Sequence, residues 1–306
     1  MTSSGPRPVS AALSGAAFAT LLLIALMMGA NHVAARLAFD NGVDVVTAVC
    51  VRSGVTAAVV ALIVWRQRVP LALHARHRWA LPAIGVLIAL QSYCLYSAVA
   101  RLPVALALLA FNLYPLCTAL WARVLYGHRA ERRVLVAMPV ILAGLALALD
   151  VLGAASGLSA GAHWGRIGAG VAFAVAAALI FGLALVLTQH EAGTLDGRVR
   201  TASTMALVGT IAFAAGVAQG GFHWPVAAAG WWGLAVLTFL YGTAFTIMFT
   251  VLPKLGVVGN SAIMNVEPIF ALVLAWAILG QRIAAMQVAG GLLVVACVVW
   301  LGLRRR

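Results

Sequence analysis

The sequence predicts an all-α integral membrane protein of ten transmembrane helices, arranged as two inverted five-helix repeats. Three observations lead there. Charged residues make up 9% of the 306 residues and apolar ones 64%, with a mean hydropathy of +1.06, whereas a soluble domain carries about 25% charged residues. Apolar runs of about 20 residues recur, each long enough to cross a hydrocarbon core of roughly 30 Å as a helix. These runs are continuous, rich in Ala, Leu and Gly, and lack the alternation of membrane strands. Finally, the chain repeats itself at an offset of 153 residues. Ala25-Leu26-x-x-Gly29 returns as Ala178-Leu179-x-x-Gly182, Arg101-Leu102 as Lys254-Leu255, Asn112-x-x-Pro115 as Asn265-x-x-Pro268, and Gly127-x-Arg129 as Gly280-x-Arg282. Such a fixed period decides architecture.

The spans follow in order. Residues 12–37 form the first. Arg7 precedes it as it would a signal peptide, but the run is too long, continues into polar Asn31 and His32 and has a counterpart at Gly182, so cleavage is not expected. Residues 44–65 end on Trp65 and 79–99 begin on Trp79, at the depth where indole rings prefer to lie. Residues 103–125 carry Pro115, and 134–151 complete the first repeat, residues 1–153. In the second repeat, residues 154–306, the spans are 167–189 behind Trp164, 202–219, 229–251 flanked by Trp224, Trp231 and Trp232, 256–279 carrying Pro268, and 284–303 closing on Trp300.

The net charge of +13 is a topology signal. Arg66, Arg68, Arg76 and Arg78, then Arg129, Arg132 and Arg133, then Arg198 and Arg200, then Arg304 to Arg306 all fall on one side of this threading. The other side holds Arg36, Arg101, Arg166 and Arg282. The positive-inside rule puts the first set, and both termini, in the cytoplasm, and no nucleic-acid partner is expected. Lys254 is the single lysine, an arginine bias that suits a GC-rich bacterial genome and an inner-membrane location. Five spans per half is an odd number, so the second half enters the bilayer from the opposite face. Two such halves can exchange conformations, the physical basis of alternating access.

Ionisable groups deep in a bilayer cost roughly 2.5–3.5 kcal/mol each and call for a reason. Glu267 is the one acidic residue well inside a span, Arg52 is the deepest basic residue, and His32 lies nearer a face. Glu267 precedes Pro268, which leaves the Met264 carbonyl without its helical donor, as Pro115 does for Phe111. Interrupted helices at matched points of two halves indicate a site at mid-depth. Pro115 and Pro268 are therefore candidate hinges, and Asn112, Asn265 and Glu267 candidate hydrogen-bonding groups. The alternative is that the prolines are tolerated kinks and the asparagines join helices. Asn265 and Glu267 sit about 200° apart on a regular helix and cannot both face one cavity. Asn260 and Glu267 can. Arg52 either binds a substrate carboxylate or pairs with Glu267. Asn31, His32, Gln91, Tyr96, Tyr114, Tyr241 and Thr246 complete the candidate substrate-binding set, with interhelix packing the competing role for each tyrosine. Tyr93 is a further candidate wall residue.

These motifs resemble the EamA type of the drug/metabolite transporter superfamily along essentially the whole chain. The likeness rests on Met28-Gly29-Ala30-Asn31-His32-Val33-Ala34, on Arg52, on Asn112-Leu113-Tyr114-Pro115 running to Gly127, and on Val266-Glu267-Pro268-Ile269-Phe270-Ala271 running to Gly280. The resemblance implies export or exchange of small metabolites, amino acids or drug-like compounds. Where the family commonly carries Glu after the two glycines, this chain has His128 and Gln281, which puts any gating or helix-end role of that acid in doubt.

The expected function is secondary-active transport of a small metabolite such as an amino acid, with a passive channel or a multidrug-type exporter as alternatives. If Glu267 is accessible, protons are the natural coupling partner. No catalytic cluster such as His-Glu-x-x-His is present, so neither enzyme activity nor a cofactor is expected. Cys50, Cys94, Cys117 and Cys297 fall within spans at no metal-site spacing and read as packing residues. His74-x-x-His77 reads as part of a basic cytoplasmic loop.

Overall fold

A computed structural model of the chain describes residues 15–71, 73–128, 132–150, 159–250 and 266–303. The regular elements among them are helices: α1 (Gly15–Asp40), α2 (Val45–Arg66), α3 (Ala75–Arg101), α4 (Val104–Phe111), α5 (Tyr114–Tyr126), α6 (Arg132–Ala148), α7 (Ala160–Glu191), α8 (Gly197–Ala218), α9 (Ala228–Thr250), α10 (Glu267–Leu279) and α11 (Ala285–Leu303). Among the described residues seven segments are long and apolar enough to cross a bilayer: Phe18–Asp40, Val45–Arg66, Ala75–Arg101, Val104–Tyr126, Gly161–Glu191, Gly197–Ala218 and Ala228–Met248. Val136–Ala148, Glu267–Leu279 and Ala285–Trp300 are apolar but shorter, and stand where the fifth, ninth and tenth spans are expected. Large apolar side chains such as Leu23, Leu62, Phe239 and Trp276 face outward, while Asn31, His32, Thr47 and Arg52 are buried. That is the reverse of a water-soluble surface.

Local chemistry sets the helix ends. Asp44 caps α2 by accepting from Thr47 N at 3.0 Å, and Ser159 and Asp196 cap α7 and α8. Gly127 and Gly280, matched at the repeat offset, end α5 and α10 with φ of 69° and 63°, a backbone that glycine adopts without steric cost. Three starts fall at least four residues earlier than the sequence predicts. α8 begins at Gly197, not 202, behind its Asp196 cap. α7 begins at Ala160, not 167, behind its serine cap. α3 begins at Ala75, not 79, because the His74 N–H donates to His77 Nδ1 at 3.1 Å. His77 is buried, with Nε2 3.2 Å from Thr194 Oγ1, so the expected loop histidine is instead a structural link between α3 and the α7–α8 connection.

Packing follows the repeat. α2 lies against α8, its counterpart at the 153-residue offset, and α6 against its counterpart α11. The pairs α1·α9 and α7·α3 correspond in the same way, as do α1·α10 and α7·α5. The self-paired helices are antiparallel. Asp44, at the start of α2, meets Gln219 at the end of α8 (2.6 Å), and Gln67, at the end of α2, accepts from Arg198 at the start of α8. In the other pair, Cys297 near the end of α11 reaches the carbonyl of Ala137 near the start of α6 (3.8 Å). Small residues allow the close crossings. A Cβ on Gly29 would stand 3.0 Å from the Glu267 carbonyl oxygen and 3.1 Å from Ala271 N. One on Gly182, its counterpart, would stand 2.8 Å from Thr118 N, the counterpart of Ala271.

The fourth span is broken, not merely bent. α4 ends at Phe111, Asn112 and Leu113 form a turn, and α5 restarts at Tyr114 with Pro115 in its first turn. Pro268 has the same place at the start of α10, behind Val266. Proline is tolerated there because the first-turn N–H groups have no intrahelical acceptor.

Candidate functional site

The site is assembled from five helices around one aromatic ring. Tyr96 of α3 is buried and donates its hydroxyl to Asn31 Oδ1 of α1 at 3.2 Å. Its ring meets His32 edge-on, centroids 5.6 Å apart, and Phe39 in the same manner at 5.7 Å. On another side the Arg52 guanidinium of α2 lies 4.6 Å from the Tyr96 ring centroid and 3.9 Å from that of Tyr241 of α9. Arg52 is thus buried and held by two π-faces, an arrangement that stabilises a desolvated cation without neutralising it. Tyr241 in turn donates towards Met205 Sδ at 3.7 Å.

Glu267 reaches this group from the first turn of α10, where the free N–H groups favour a carboxylate. His32 Nε2 stands 3.3 Å from Glu267 Oε1. The contact has ion-pair distance but lacks hydrogen-bond alignment, because Glu267 Oε1 remains buried without a donor and His32 Nδ1 without a partner. The Glu267 side chain keeps 23% of its surface, against 4% for His32. Of the two alternatives the sequence left for Arg52, pairing with Glu267 is not seen among the described residues, where the ionic neighbour of Glu267 is His32. Gly29 lets α1 approach α10 closely enough for this contact.

Four further buried polar atoms lack partners among the described residues: Asn31 Nδ2, Arg52 Nε, Ser53 Oγ and Asn112 Nδ2, with Thr204 Oγ1 of α8 a fifth. An unpaired buried donor is costly; these atoms lie on α1, α2, α8 and in the α4–α5 turn.

The other expected residues divide. Tyr114 lies within electrostatic reach of Glu267 and packs in an aromatic group with Phe111 and Phe181, centroids 5.4 and 5.2 Å away. Asn112 is buried in the α4–α5 turn beside it. Gln91 is buried on α3 without a hydrogen-bond partner among the described residues, more than a turn before Tyr96. The Thr246 hydroxyl donates to its own helix, at Gly242 O (2.8 Å). Tyr93, half exposed, packs on Phe173 instead. Asn265 and Asn260 lie outside the described residues. Ser53, Thr204 and Phe181 are missing from the sequence reading. One signal was available: Met205 stands at the repeat position of Arg52, which draws attention to its neighbour Thr204.

Gln281 does act at a helix end. Its Oε1 accepts from Val104 N, the first amide of α4, at 3.1 Å, so the amide accepts there as a carboxylate would. His128 stands among rings, 5.2 Å from His190 and 6.3 Å from Tyr126.

Comparison with known proteins follows this geometry. The EamA-like transporter family matches the chain twice, over residues 14–149 and 168–303. Fifteen chains of solved structures match as well. One of them, described only as a crystal structure of a protein, superposes with a TM-score of 0.62 and 18% identity over 94% of this chain and 98% of its own. At that identity the likeness speaks to the fold alone. No curated protein matches the chain.

Proposed function

As the chain belongs to the EamA-like transporter family, within the drug/metabolite transporter superfamily, we propose that it moves a small zwitterionic metabolite, an amino acid above all, across the membrane by secondary active transport. The family consists of membrane transporters, not enzymes; the substrate and cycle are our reading. The observation that carries it is the buried pairing of opposite chemistries: Arg52, cationic and bound to no carboxylate among the described residues, and Glu267, its Oε1 without a hydrogen-bond donor among them, joined through Tyr96 and His32. A substrate carboxylate would take the free Nε of Arg52, and a substrate ammonium the free oxygen of Glu267. The apolar and aromatic surroundings would hold the rest of the molecule, the usual balance of a small-ligand site.

In this proposal the chain forms ten spans in two inverted repeats, residues 1–153 and 154–306, in a bacterial inner membrane with both termini in the cytoplasm. The antiparallel pairing of α2 with α8 and of α6 with α11 supports it, because repeat counterparts that run in opposite directions are what inversion requires. Each half then alternates between the packing seen at Gly29 and that seen at Gly182, opening the site to one face at a time. The broken α4–α5 helix and the matching start of α10 are the hinges. The His32–Glu267 pair is the proton station: a proton arriving at the pair weakens the hold on a substrate ammonium, and its release restores it.

Counterflow in proteoliposomes tests the reading. Purified protein loaded with unlabelled amino acids should accelerate uptake of the same labelled compound, which a channel does not do. Glu267→Gln should raise the KM for exchange, since the substrate ammonium loses its anionic partner, and lose dependence on the proton gradient. A Glu267→Gln protein that still concentrates substrate with unchanged proton dependence removes Glu267 from coupling, and absence of counterflow across amino acids, aromatic metabolites and cationic drugs removes the carrier proposal.

A further inference from the structure

A second basic feature lies away from the central cluster, where α2 ends beside the start of α8. The two helices leave an open cleft of about 810 Å³ lined by Trp65, Arg66, Arg68, Leu71, Val199 and Ser203 among others. Its floor is apolar: Val69 and Val199 are buried and pack with Leu195. Its rim is not. Trp65 is 72% exposed, Leu71 is nearly as open, and Arg66 and Arg68 are exposed beside them. No acidic residue lines the cleft among the described residues.

Nearby arginines are already engaged. Arg198 donates to both oxygens of Asp196 and to Gln67, and the guanidinium groups of Arg200 and Arg76 donate to the Ala192 and His190 carbonyls. Arg66 and Arg68 differ, having no ion pair or side-chain hydrogen bond among the described residues. Arg68 also occupies an unfavourable backbone. The α2 terminus closes with Gln67 N on Ile63 O, Arg68 N on Trp65 O and Val69 N on Val64 O, which puts Arg68 at φ 49°. Helix ends of this kind favour glycine or asparagine.

We propose that this cleft binds the headgroup of an anionic phospholipid. Two free guanidinium groups present paired donors to a phosphate. The Trp65 indole sits at the end of an apolar span, the depth of the glycerol esters. Ala61, Val64 and Leu71 form walls for the first part of an acyl chain. A free phosphate would satisfy the arginines but leave this apolar wall without a partner, so the lipid is the better fit. The cleft stands on the arginine-rich face, where basic residues meet anionic lipid. The inference is independent of the substrate reading, and neither fails with the other.

Native mass spectrometry of the delipidated protein, with phosphatidylglycerol or phosphatidylcholine of the same acyl chains added back, tests it. Wild type should retain phosphatidylglycerol preferentially. In R66Q/R68Q that retention should fall by roughly thirtyfold, the loss expected for two arginines facing anionic lipid. R123Q, which removes an exposed arginine elsewhere, should leave it unchanged. Ser203→Phe fills the cleft without altering its charge and should also expel the lipid, which keeps the test open if the arginine variant does not fold. Equal retention of the two lipids by wild type, undiminished retention in R66Q/R68Q with Ser203→Phe, or an equal loss in R123Q would overturn the proposal. So would binding of inorganic phosphate that displaces the lipid, since the cleft would then be a site for a free anion.

Discussion

Arg52 owes its position to the faces of two tyrosines, and a face reads shape as well as charge. Lysine keeps the charge but loses the planar, stacked guanidinium and its fixed donors. Arg52→Lys should therefore fold and reach the membrane yet raise the KM for counterflow of a zwitterionic substrate by about tenfold, ~1.4 kcal/mol; an unchanged KM would remove Arg52 from the site. Asp44 makes a different prediction, outside the spans. Burial would raise its carboxyl, but hydrogen bonds from Thr47 and Gln219 and the nearby His223 outweigh that and hold it below the ordinary aspartate value of 3.8. Its contribution to stability is then fully present above pH 3.8 and lost as pH falls through the depressed value. Asp44→Ala should cost roughly 1–2 kcal/mol at neutral pH, as lost N-caps do, and should flatten the acid side of the melting-temperature profile. Arg52, His32 and Glu267 were legible in the sequence because an ionisable group within an apolar run is conspicuous. Which of them meet was not, since adjacency of helices more than 200 residues apart in the chain is written in no local pattern. Ser53 and Thr204 were invisible because a hydroxyl in an apolar helix usually bonds back to its own turn.

Helices record the same division. The apolar runs, the tryptophans at their ends and the glycines that stop α5 and α10 made most elements readable within a few residues. The early start of α3 escaped because its cap is a histidine pair, a chemistry with no strong sequence signature. The break at Asn112 and Leu113 was foreshadowed by Pro115 as a kink, but a proline specifies only a missing donor, not whether the backbone bends or divides. At the crossings of α1 with α10 and of α7 with α5, glycine is required by space. Gly29→Ala and Gly182→Ala should each lower the melting temperature in detergent, by roughly 1–3 kcal/mol of overpacking. The effect should be larger at Gly182, where the added carbon meets backbone at the shorter distance. If both variants melt like wild type, the helices have room to part and the crossings are not rigid.

At the scale of the molecule, orientation is what transport by exchange of halves depends on. The proposed threading, with both termini in the cytoplasm, requires that a fluorescent protein fused after Arg306 fluoresce and a phosphatase fused there stay inactive. Cysteines introduced at Gln67 and Gln219, at opposite ends of the α2–α8 pair, should label from opposite faces of the membrane. Labelling of both from one face would dismantle the inverted arrangement. The offset of 153 made the scaffold legible, yet it could not disclose the site, because the site does not obey it. Counterparts of His32, Arg52 and Glu267 are Leu185, Met205 and Tyr114. A tandem of two first halves would set each histidine against a tyrosine, and a tandem of two second halves would set each glutamate against a leucine. Neither hybrid could hold the acid–imidazole contact, which in this chain takes one residue from each of two unlike halves.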